Sequence, residues 1–434
     1  MTVATPSSPS SPLPGPSAPG PSDDVPCVPA PAPARGHVAP GYEHVARCFA
    51  ASLRRGEEVG AGFCAYVQGR LVVDLWGGVA DRDTGRPWRR DTRVVVFSVT
   101  KGLAAMAFHL LADRGDLDWD APVASYWPGF GAAGKASVTV RCLLNHRAGL
   151  AALDAPLTMD DVIDPARASV VVDALERQTP AWSPGEDQAY HAITWGLYAG
   201  ELFRRVAGES LGGFLRREIF APLGSDAHLG TPADLDPLHA TLYAPSTPRR
   251  VANMFSTTVL APRSPEAGIA RNVVSPDSMA RRVFSNPPTG RRGVLAYDDV
   301  AVRRAELPWA SATSSAHGLA RAYLPFALGG EVDGRRYFSA ASVAPLATRQ
   351  SWSWCDGVLH KPVGWSQGFL KDERHLFCPQ PASFGHAGMG GSLGWCDPVA
   401  GVAFGYLMNG MDWRVRSPRA LALGRALYEC APLR

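Results

Sequence analysis

Residues 94–115 read VVVFSVTKGLAAMAFHLLADRG, and the fold turns on where the strand in this stretch stops and the helix begins. Val94–Phe97 is an apolar run of strand type. Apolar residues then recur at Leu103, Met106, Ala107, Leu110 and Leu111, the spacing of one helix face, and Arg114-Gly115 is a stop signal. Ser98 therefore opens the helix, where unpaired N–H groups and the positive end of the dipole lie. Lys101, three residues on, shares its face. A serine hydroxyl is nearly inert at neutral pH without a base beside it. A buried lysine can act as one, because burial penalises the ammonium and lowers its pKa by as much as about 3–5 units. The S-x-x-K spacing is short enough to recur by chance, so the rest of the chain has to decide.

Two other serines compete. Ser210 lies in GESLG (208–212) and Ser392 in GGSLG (390–394), both matches to G-x-S-x-G. That pattern marks a nucleophile only where a strand runs into the turn and a helix leaves it. Ser210 follows the helical stretch ITWGLYAGELFRRVAG and precedes LGGFLRREIF, so it reads as an N-cap between two helices. Ser392 sits in a glycine-crowded strand with no helix after it. Neither is the expected nucleophile.

Outward from residues 94–115, GYEHVARCFAASLRRG (41–56) has one apolar helical face, and AGFCAYVQG and RLVVDLWGG form a β-hairpin turned at Gln68-Gly69. Helical stretches and Pro/Gly-rich loops fill the middle. ASFGHAGMGGSLGWCDP and AGVAFGYLMN read as strands, and SPRALALGRALYEC as a closing helix with Ser417 at the N-cap and Pro418 first. Strands at both ends imply a mixed α/β domain from 37–116 and 293–434, with a mainly helical insertion over 117–292. Residues 1–36 are Pro/Ser/Ala-rich and are expected to be a disordered tail; they lack the basic start and apolar core of a secretory signal.

The 434 residues, 46% hydrophobic, can bury a large core, and a net charge of +3 gives no reason to expect nucleic acid or an anionic membrane as partner. No apolar run approaches the roughly 18–20 residues of a spanning helix. The eight cysteines are scattered without a C-x-x-C pair, which suits reduced thiols in a cytoplasmic protein and no metal site.

A series of landmarks then falls in order: FSVTK (97–101), GDLDWDAPVASYWPGF (115–130), LLNHRAGL (143–150), QAYHAITWG (188–196), IFAPLG (219–224), HGLARAY (317–323) and FGHAGMGGSLGWCDP (384–398). From about residue 40 onward the chain resembles the serine β-lactamase and penicillin-binding-protein superfamily, in the class C-like branch that includes family VIII carboxylesterases. The resemblance implies an antiparallel sheet flanked by helices, with the site in the cleft against the helical insertion. It implies Ser98 as the acylated nucleophile, Lys101 as its base and Tyr190 as partner in proton transfer, with no cofactor and no metal. It also matches His386-Ala387-Gly388 to the third motif at the cleft edge, and the backbone N–H groups of Ser98 and Met389 to an oxyanion hole.

Two departures bear on substrate. Ala192 stands where β-lactamases usually carry an Asn, and His386 where a Lys is common; both changes weaken recognition of a charged, amide-bearing β-lactam. The expected partner is a small-molecule ester or other acyl donor and the expected activity a carboxylesterase. Acyl transfer to a small alcohol or amine is the alternative, and β-lactam or peptide-amide hydrolysis the second. A catalytically silent binding protein would be expected to lack one of Ser98, Lys101 and Tyr190. His191 is a candidate at the substrate site, although a packing role suits it better, and His146 is expected to bond loop backbone. Asp116, Asp118 and Asp120 read as loop-forming carboxylates. Trp182, Trp309, Trp352, Trp354 and Trp365 fall in loop-like segments suited to an apolar acyl pocket. The oligomeric state stays open.

Overall fold

The structure, a computed structural model, describes residues 28–30, 33–245, 247–275, 278–371, 376–414 and 416–433. In chain order the strands begin with β1 (Val28–Pro29), β2 (Arg35–Val38), β3 (Gly60–Val67) and β4 (Arg70–Gly78). Two short pairs stand apart from the main sheet: β5 (Val94–Val95) with β6 (Thr313–Ser314), and β7 (Glu331–Val332) with β8 (Arg335–Arg336). The last six are β9 (Ser351–Ser353), β10 (Val363–Ser366), β11 (Phe369–Lys371), β12 (Phe384–Ala387), β13 (Leu393–Asp397) and β14 (Val402–Met408). Ten of these strands make one antiparallel sheet in the order β1-β2-β4-β3-β14-β13-β12-β11-β10-β9. β14 lies beside β3, so the two ends of the chain meet at the centre of the sheet.

Helices cover both faces, and the strands are apolar on both sides for that reason. Along β3, Phe63 and Ala65 face one cluster while Cys64 and Tyr66 face the other; along β14, Phe404 and Tyr406 alternate with Ala403 and Leu407. α1 (Glu43–Arg54) and the Pro418–Tyr428 helix close the first face. α2 (Val99–Arg114) and the Ala316–Ala327 helix close the second, with the helical middle of the chain beyond. The mixed α/β architecture agrees with expectation.

The tail differs from it. Residues 1–27 and 31–32 lie outside the described residues, but Val28–Pro29 and Arg35-Gly36, also assigned to the tail, already belong to the sheet. β2 pairs through its main chain with β4 (Gly36 opposite Leu75, Val38 opposite Val73), and main-chain pairing needs no apolar side chains to announce it.

Candidate active site

Ser98 is the residue before α2, half-buried, and its hydroxyl makes no capping bond to the helix. The strand-to-helix corner is sharp. Phe97 adopts φ 48°, a left-handed conformation costing a bulky residue about 1–3 kcal/mol. Its ring packs edge-on against Tyr297 at 5.9 Å, and the preceding Val96 N–H is anchored on the Ala312 carbonyl at 2.9 Å.

One turn on, Lys101 Nζ lies 3.2 Å from Ser98 Oγ. The amine also donates to the Trp309 carbonyl at 3.1 Å and sits 5.0 Å from the centre of the Tyr190 ring. Lys101 is fully buried, and burial holds its pKa well below the usual lysine value. An uncharged amine beside a serine oxygen can accept its proton.

Tyr190 reaches the same point from a distant segment, its ring over the Lys101 amine and its hydroxyl facing Ser98 closely enough for the serine to ease its ionisation. Burial pushes its pKa above the usual phenol value, so the phenol keeps its proton and can relay or donate it. The ring is stacked on Trp365, 5.6 Å away at 5°. Its backbone is fixed by Asp356, a carboxylate buried in the protein interior that accepts from the N–H groups of Tyr190, Val358 and Leu359 at 2.9–3.0 Å.

His191 does not belong with the substrate-binding residues. It is fully buried, Nδ1 bonds the Ala189 carbonyl at 2.6 Å and Nε2 accepts from the Leu150 N–H at 3.1 Å. Both ring nitrogens are committed to backbone. His146 lies beside it as a second clip, with Nδ1 accepting from the His191 N–H at 2.9 Å and its ring 4.1 Å from Trp365.

The third motif ends β12. His386 is buried, its Nδ1 bonds the Ala387 carbonyl at 2.8 Å, and burial lowers its pKa to about 3. The ring is neutral and presents no cation to a substrate carboxylate. Gly388 packs where a Cβ would stand 2.3 Å from the Val96 carbonyl and 2.1 Å from Ser392 Oγ, so only glycine lets the end of β12 lie against the Ser98 corner. Ser392 Oγ donates to that same Val96 carbonyl at 2.8 Å, and the Gly388 N–H donates to the Ser392 carbonyl at 2.7 Å. Among the described residues neither the Ser98 N–H nor the Met389 N–H has a hydrogen-bond partner, while the Met389 side chain is exposed.

The structure therefore brings Ser98, Lys101 and Tyr190 together and carries the segment 386–389 alongside the corner that holds Ser98. Ser210 accepts from the Gly213 N–H at 3.1 Å, the N-cap expected of it. Asp120 pairs with Arg141, and no group of metal-ligating side chains occurs among the described residues. A groove of about 970 Å³ lies between α1 and the Pro418–Tyr428 helix, and none of the expected site residues lines it.

Of the tryptophans, Trp365 and Trp309 support the site, the former from β10 rather than a loop. Trp352 packs against Trp354, 5.3 Å away and largely exposed. Sequence reasoning missed Asp356 and the Trp309 carbonyl. A lone aspartate in SWCDGVLH carries no motif, and a main-chain acceptor leaves no signal at all.

The Beta-lactamase family matches residues 45–428. Esterase/beta-lactamase LipL of Mycobacterium tuberculosis is 37% identical over 383 residues, covering 86% of this chain and 82% of its own. The crystal structure of a family VIII carboxylesterase superposes with a TM-score of 0.79 at 35% identity, covering 92% of this chain and 99% of that one. A penicillin-binding protein homologue from Caulobacter crescentus superposes with a TM-score of 0.77 at 30% identity, covering 91% and 99%.

Proposed function

Because the chain belongs to the beta-lactamase family, we propose that it is a serine carboxylesterase acting on small to medium esters through an acyl-enzyme on Ser98. One observation carries this reading: a fully buried amine, with burial as the cause of its low pKa, 3.2 Å from a half-buried serine oxygen at a helix start. Ser98 Oγ attacks the ester carbonyl as its proton passes to Lys101. The oxyanion is received by the N–H groups of Ser98 and Met389, neither of which has an acceptor among the described residues. Tyr190, a phenol protonated in the resting site, hands its proton to the leaving alkoxide and takes another from the Lys101 ammonium. Water then attacks the acyl-enzyme, with Lys101 and Tyr190 again moving the proton.

Substrate choice follows from charge. His386 and His146 are held neutral by burial, and Ala192 has no amide to offer. A neutral ester meets no penalty there, whereas a β-lactam carboxylate would leave water with no charge on either histidine to receive it. The solved family VIII carboxylesterase supports the ester reading, and LipL is named for both esterase and beta-lactamase activity. Residues 117–292 would form the wall of the cleft opposite the sheet domain. Cys48, Cys64, Cys142, Cys355 and Cys396 carry free thiols, which suits the cytoplasm, and no described helix is long and apolar enough to cross a membrane.

Wild type and Ser98→Ala should be compared on p-nitrophenyl esters and a chromogenic cephalosporin, with fluorophosphonate labelling read by mass spectrometry. Ester turnover and labelling should both vanish in Ser98→Ala. Turnover that survives there rules out the assignment. Faster cephalosporin cleavage would reverse the substrate ranking, and product esters formed with added alcohol would make the protein an acyltransferase.

A further inference from the structure

Arg419 occupies a position that helix electrostatics disfavours. It is the second residue of the Pro418–Tyr428 helix, where the positive end of the dipole repels a cation. It is nevertheless buried, with its charge on fixed partners. Nη1 donates to Glu58 Oε2 at 2.7 Å and to the Glu57 carbonyl at 2.9 Å, and Nη2 donates to the Gly410 carbonyl at 2.8 Å. Glu58 is itself fully buried and accepts from the Tyr406 hydroxyl on its other oxygen. A buried ion pair seldom adds net stability over an apolar substitute, so its presence points to a geometric task.

The task is visible in the remaining contacts. Nη2 also reaches the Gly390 carbonyl at 3.4 Å, and that oxygen accepts from the Asp412 N–H at 2.9 Å. Arg419 thus grips both sides of one junction: the turn that follows Met389, and the Gly410–Asp412 loop that holds the turn. The turn needs holding, since Gly390 and Gly391 have φ of 82° and 118° and, as glycines, resist reorientation less than other residues. On the opposite side, Gly388 and Ser392 fasten it to the Val96 carbonyl.

We propose that Arg419 is a positioning residue for the oxyanion hole: with Glu58 fixing its guanidinium, it sets the orientation of the Met389 N–H. This rests on the proposed role of that N–H in the esterase reaction.

The test compares ester substrates with their thionoester counterparts, because oxyanion donors favour a developing oxygen anion over sulfur. Arg419→Lys keeps a charge beside Glu58 but gives up the fork that spans Gly390 and Gly410. The double variant Glu58→Gln/Arg419→Met removes the Glu58–Arg419 pair together, leaves Asp412 its ion pair with Arg414, and guards against a folding failure of the first. In a variant with wild-type circular dichroism, kcat on esters should fall about tenfold to hundredfold, as for a reacting group misplaced by a fraction of an ångström to an ångström. KM should stay within about threefold, and the ester-to-thionoester ratio of kcat/KM should shrink by a similar factor to kcat. Folded variants with kcat and ratio both within about twofold of wild type overturn the proposal. A wild-type protein that is unlabelled at Ser98, or shows no ester preference, overturns the underlying reading and the proposal with it.

Discussion

At the residue scale the chemistry depends on one suppressed charge. Among the described residues no carboxylate pairs with Lys101, and burial lowers its pKa. Burial therefore favours the uncharged amine, and protonation on the acid side removes the base. The kcat/KM profile should stay high through neutral pH and fall in acid; a profile that rises only in the usual lysine range would refute a neutral Lys101. Lys101→Met should lose activity by about 10³-fold or more while fluorophosphonate labelling slows in parallel. Tyr190 is shifted the opposite way, upward, which makes it a proton donor and relay. Tyr190→Phe should lower kcat by about 10²–10⁴-fold, with the greatest loss for esters of poorly leaving alcohols; equal losses for p-nitrophenyl and ethyl esters would remove it from leaving-group protonation.

At the element scale the site is a meeting of three segment ends, each fixed by a contact that does no chemistry. The strand-to-helix corner is held by Phe97 against Tyr297, the Tyr190 segment by Asp356, and the end of β12 by Gly388. Asp356→Ala would leave two buried N–H groups and one half-buried N–H group without their acceptor. It should destabilise the fold by about 2–4 kcal/mol in denaturant titration and lower kcat more than KM. An unchanged midpoint would show that the carboxylate is not what holds the segment. Gly388→Ala places a methyl 2.3 Å from the Val96 carbonyl, so the third-motif strand must move away from Ser98. Steady-state kinetics should show kcat down by about tenfold or more; wild-type kcat would mean that the strand can yield without cost. Little of this was legible beforehand. Ser98 and Lys101 announce themselves by spacing, but Asp356 acts through main-chain contacts 166 residues away from Tyr190, and nothing in the local pattern points across such a gap. For His191 the packing role favoured on sequence grounds is the one its contacts support, since its neighbour Tyr190 is in the site while its own ring turns into the loop backbone.

At the scale of the whole molecule, the sheet is continuous only when an N-terminal strand pairs with the last one, β3 against β14, and the Pro418–Tyr428 helix then covers one face. Ending the chain at residue 416 should expose Phe404, Tyr406 and their neighbours on that face and give insoluble protein; a soluble, cooperatively melting truncation would contradict this account of the core. What the amino-acid order determined by itself was local and periodic: the strand, the serine at its end, the lysine one turn along, and the apolar faces that make a mixed α/β domain. Those follow from backbone geometry, which repeats every two or 3.6 residues and can be read within a short window. Only the tertiary structure decided that Lys101 is buried against Trp309 and Tyr190, that His386 is neutral and that the turn after Met389 is tied to Arg419. Each of these depends on desolvation or on a bond between segments far apart in the chain, and the solvent a side chain loses is set by whatever the folded chain packs over it.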